Sequence, residues 1–87
     1  MSMNVYVKLC DLKAALRFIE VKVNSELFTA GQEEPEMQIS VAVYHQTQGT
    51  VFGELHDGGD NLVMFPRSYQ DTIIKICTTV GIPFRFF

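Results

Sequence analysis

Tryptophan is missing from this chain of 87 residues, cysteine occurs only twice and proline only three times. Two cysteines cannot make the disulfide framework on which small secreted domains rely, so reduced thiols in a cytosol are expected. No apolar run approaches the ~18 residues of a membrane-spanning helix. The opening Met1-Ser2-Met3-Asn4 has neither the basic nor the apolar segment of a secretory leader, and a cytoplasmic location is expected. Excess charge is also scarce: seven basic residues against ten acidic ones leave a net charge of -3, in a chain that is 47% hydrophobic. That balance excludes disorder and speaks against a phosphate-dominated surface. Repeats and low-complexity linkers are absent, so residues 1–87 read as one domain. What is present is core material, including three tyrosines and seven phenylalanines.

The first segment alternates, with Met3, Val5, Val7 and Leu9 on one face and Asn4, Tyr6 and Lys8 on the other, which predicts a strand. Asp11 is then a plausible N-cap for a helix bearing Leu12, Ala15, Leu16, Ile19 and Val23. A second reading competes. Val5, Leu9, Leu12, Leu16, Ile19 and Val23 are spaced 4-3-4-3-4 and suit one long helix from near residue 3. Strand then helix is preferred, because Asn4-Val5-Tyr6-Val7 is poor helix material. The helix end is ambiguous, since Ile19, Val21 and Val23 also alternate with Glu20, Lys22 and Asn24.

Residues 24–36 read as an acidic loop holding Glu33, Glu34 and Glu36. Three strands follow: residues 37–44, 51–56 and 61–65. The first two are joined at Thr47-Gln48-Gly49, the last two at Gly58-Gly59. Pro66 ends the third. Ser68 with Asp71 suggests a capping box for a helix carrying Tyr69, Ile73, Ile76, Cys77 and Val80, closed by Gly81 and Pro83. Ile82, Phe84 and Phe86 form a last strand. The expected order is β-α-β-β-β-α-β, an α+β, ferredoxin-like split β-α-β domain. Its antiparallel sheet has four or five strands, with both helices on one face.

Those turns imply a register in which Tyr44 faces Phe52 and Phe52 faces Phe65. Tyr6, Tyr44, Phe52 and Phe65 then share an uncovered face, opposite Val41, Val43, Leu55 and Leu62. Two readings fit that row. Either a helix covers it and the rings are core, or it is a contact surface, since exposed apolar patches mark interaction sites.

Catalytic and metal chemistry find little support in the spacing. His45, His56, Cys10, Cys77 and Asp57 include no Cys-x-x-Cys or His-x-x-x-His pair. The two histidines fall on opposite faces, roughly 17 Å apart along the ladder. Asp57-Gly58-Gly59-Asp60 lacks the lysine of a phosphate loop and the closing glutamate of a calcium loop, so it reads as a turn. Cys77 sits on an apolar stripe. No cofactor, metal or catalytic set is expected.

The function expected from these patterns is a non-catalytic protein-binding module. It acts through Tyr6, Tyr44, Phe52 and Phe65, with Glu33, Glu34 and Glu36 steering a basic partner. In size and charge, though in no motif, the chain is similar to the small acidic inhibitors that phages direct at host systems. Burial of the aromatic row against its own copy would make a homodimer. Stacking of single-stranded nucleic acid on the same rings is the alternative. The charge and the absence of a Lys/Arg-Gly-Phe run in Val51-Phe52-Gly53-Glu54-Leu55 weigh against it.

Overall fold

A computed structural model describes residues 4–28, 36–55 and 61–86, with side chains described at 4–24, 39–55 and 61–86. The elements are β1 (Val5–Lys8), α1 (Leu9–Ala14), β2 (Ile19–Phe28), β3 (Glu36–His45), β4 (Gly49–Leu55), β5 (Leu62–Phe65), a 3-10 turn (Arg67–Tyr69), α2 (Gln70–Val80) and β6 (Arg85–Phe86). The strands form one antiparallel sheet in the order β2-β3-β4-β5-β1-β6. The fold is therefore α+β, with six strands among the described residues where four or five were expected.

The additional strand comes from the segment that carries both periodicities. The first helix stops at Ala14 instead of running to Val23. The chain then turns through Ala15 N–H to Leu12 O (3.1 Å), Phe18 N–H to Ala15 O (2.9 Å) and Ile19 N–H to Ala15 O (3.2 Å). Beyond that turn the β-branched Ile19, Val21 and Val23 take the extended conformation their stiff χ1 favours. Asp11 is not the N-cap: Lys8 holds that position without a side-chain bond, and Asp11 lies in the first turn, where the helix dipole favours an anion.

The second helix closes as the sequence indicates. Gly81 adopts φ 80°, and the N–H groups of Gly81 and Ile82 both reach Cys77 O at 2.8 Å. Its start differs, because Ser68 lies exposed in the 3-10 turn and the cap position falls on Tyr69 with no side-chain bond.

β5 and β6 each run antiparallel to β1, which lies between them, so β5-α2-β6 forms a split β-α-β unit. The ferredoxin-like order does not extend to the whole sheet. α1 links β1 to β2 across three intervening strands, and β2 to β5 form a meander. Both helices cover one face. Leu12 and Ala15 from the first helical segment and Ile73, Ile76 and Cys77 from α2 pack on Val5, Val7, Ile19, Val41, Val43, Val51, Val63 and Phe65. Gly53 makes this possible. A methyl group there would stand 2.7 Å from Met64 O and 2.9 Å from both Phe65 Cδ1 and Val63 Cγ1.

Candidate functional site

Among the described residues, no helix lies over the other face of the sheet. Register fixes its rows, because directly opposed residues of an antiparallel ladder share a face. One row crosses all six strands: Asn24, Ser40, Glu54, Met64, Tyr6 and Arg85. Beside it run Lys22-Ala42-Phe52 and Glu20-Tyr44-Thr50.

The last two rows line a shallow groove of about 340 Å³ formed by Glu20, Lys22, Ala42, Tyr44, Thr50 and Phe52. Ala42 is its floor, small enough to leave space between two rings. Phe52 is 53% exposed and Tyr44 43%. Phe52 stays open because Pro66, which has no N–H for a ladder, ends β5 one residue before it would pass that ring. Tyr69 takes the vacated place and meets Phe52 edge-on, with centroids 6.0 Å apart and planes at 63°.

The continuous row of Tyr44, Phe52 and Phe65 does not form. Tyr44 opposes Thr50 and Phe52 opposes Ala42, so the two rings stand diagonally across the groove. Phe65 does not lie on the open face. It is fully buried on the helix side, level with Gly53, and Val63 is buried with it. The β4–β5 pairing is shifted by one residue from the expected register, and a one-residue shift moves every side chain of a strand to the other face. Leu62 and Met64 take the outward places instead. Tyr6 does face outward, half-buried, between Met64 and Arg85 and away from the groove. Glu33 and Glu34 lie outside the described residues, and Glu36 begins β3. Glu20 and Lys22 enter the groove from β2, whose alternation was visible beside the helical spacing, whereas Tyr69 reads in the sequence as part of the α2 stripe and not as a neighbour of Phe52.

Of the residues considered for chemistry, His45 and Cys77 have structural roles. His45 Nδ1 accepts the backbone N–H of Thr47 at 3.1 Å and of Gln48 at 3.3 Å, tying the β3–β4 turn. His56 and the Asp57–Asp60 turn lie outside the described residues. Among the described residues no three His, Cys, Asp or Glu side chains converge as a metal site would require. Cys77 is buried beneath α2, and that burial pushes its thiol up to about 12, away from thiolate chemistry. Cys10 is exposed. No protein-family model matches the sequence, and no curated protein or solved structure matches it either.

Proposed function

We propose that this chain is a non-catalytic protein-binding module, a small cytoplasmic inhibitor or adaptor that seats a partner in the groove between Tyr44 and Phe52. The observation that carries this reading is the pair of exposed rings over Ala42, flanked by the carboxylate of Glu20 and the ammonium of Lys22. Rigid aromatic side chains on a sheet supply contact area at low entropic cost, and mixed charges at the rim orient a partner. Glu33, Glu34 and Glu36 add negative charge that would speed encounter with a basic surface.

Single-stranded nucleic acid is the second reading. The exposed rings favour it, together with Lys8, Lys22 and Arg85 on the same face. The net charge of -3 disfavours it.

Phe52→Glu tests both, because the ring is exposed and the substitution leaves the core intact. Used as bait in host lysate, the wild-type chain should retain partners that the variant loses, with unchanged circular dichroism. Binding that survives between about 50 and 200 mM salt supports a protein partner. A fluorescent mixed-sequence oligonucleotide whose binding collapses over that range supports the second reading. Equal capture by the wild type and the variant would remove the groove from consideration.

A further inference from the structure

We propose that β2 pairs antiparallel with β2 of a second copy of this chain, about a two-fold axis normal to the sheet and midway between the two Val21 residues. This rests on the sheet's edge and not on the occupant of the groove.

The two edges of the sheet are built differently. β6 is two residues long, and a short edge strand resists further pairing. β2 is ten residues long, contains no proline, and pairs with β3 through ten consecutive positions without a bulge. None of those three edge protections guards it.

The outward backbone groups can be assigned. The Ile19 N–H is taken by Ala15 O, so Ile19 and His45 form a non-hydrogen-bonded pair. Alternation then turns the N–H and C=O of Val21 and Val23 away from β3, towards a further strand.

The side chains favour a copy of the same strand. A two-fold axis normal to the sheet keeps same-face residues opposite one another. Centred on Val21, it sets Glu20 against Lys22 of the second copy and Lys22 against its Glu20, while Ile19 stands beside Val23 on the helix side. Centred on Lys22 it would oppose two lysines, and centred on Val23 it would set Lys22 against Asn24 and lose the pairing of opposite charges. Apolar exposure is concentrated here as well. Of the six large hydrophobic residues exposed among those described, Leu16, Phe18 and Val23 belong to this edge segment and the turn leading into it. Pairing would join two grooves across the axis, since Glu20 and Lys22 line each of them.

Charge variants of the full chain test this by sedimentation over about 1–200 µM. The wild type should dimerise. Lys22→Glu and Glu20→Lys should each weaken the dimer about ten- to a hundredfold, because each sets two pairs of like charges opposite one another. An equimolar mixture of the two single variants should form a heterodimer, and the double exchange should restore the homodimer. Hydrogen exchange at Val21 and Val23 should slow as concentration rises. A wild type that remains monomeric throughout would overturn the proposal. A Glu20→Lys variant that dimerises like wild type would overturn this register.

Discussion

Gly53→Ala probes a close approach between two strands of the sheet. The added methyl would meet Met64 O at 2.7 Å and the side chains of Phe65 and Val63 at 2.9 Å. The carbon contacts fall roughly 0.6 Å short of the ~3.5 Å where such contacts become attractive. The Phe65 ring could rotate away only into a core that is already filled, and the Met64 carbonyl cannot move without its strand. β4 and β5 must therefore separate beside the pairs Glu54 with Met64 and Leu55 with Val63. Overpacking of this kind costs about 1–3 kcal/mol. With a backbone atom among the contacts we expect the upper end, about 3 kcal/mol. For a domain of this size that lowers Tm by about 12–24 °C. Thermal melts followed by circular dichroism would measure it, with Gly49→Ala as a comparison, because Gly49 has φ 93° but nothing within 4 Å of an added methyl. The Gly49 variant should lose about 1–2 kcal/mol from backbone strain alone. A Gly53→Ala melt within about 3 °C of wild type would show that Phe65 does not pack over this glycine, and the register of β5 would fall with it.

Three further outcomes are expected. Phe65→Ala should cost about 3–5 kcal/mol as a buried ring and Phe52→Ala less than about 1 kcal/mol, so urea midpoints that moved equally would contradict the division of faces. Cys77 stays protonated in the fold up to about 12, whereas an unfolded chain releases this proton from about 9.0. Stability should therefore be intact below pH 9 and decline as pH rises towards 12, a decline that Cys77→Ala should flatten in denaturant titrations at successive pH values. Removing residues 84–87 deletes the half-buried Phe84, its edge-on contact with Phe86 at 5.7 Å and the strand beside Val5 and Tyr6. A loss of about 2 kcal/mol should appear as a Tm lower by about 8–16 °C, and an unchanged melt would mean that the tail adds nothing to the core.

Several features were legible in the residues themselves. The alternation of Val41 and Val43 put them on the helix side, and the stripe of Ile73, Ile76 and Cys77 defined the buried face of α2, with Gly81 ending it. Tyr44 and Phe52 were placed correctly on the uncovered face although their register was not. The loop between β3 and β4 closes on His45 and Gly49 instead of on Gln46 and Thr50, so the paired numbers sum to two less and every side chain keeps its face. Tertiary structure decided the rest. Between β4 and β5 the difference is one residue, and that odd step carried Phe65 and Val63 inward and Leu62 and Met64 outward. The segment from Leu16 to Val23 holds a helical and a strand pattern at once. Its outcome depended on whether β3 offered an edge to pair with, and local propensity does not contain that information. Phe65 could enter the core only because Gly53, twelve residues earlier on the neighbouring strand, has no side chain to oppose it.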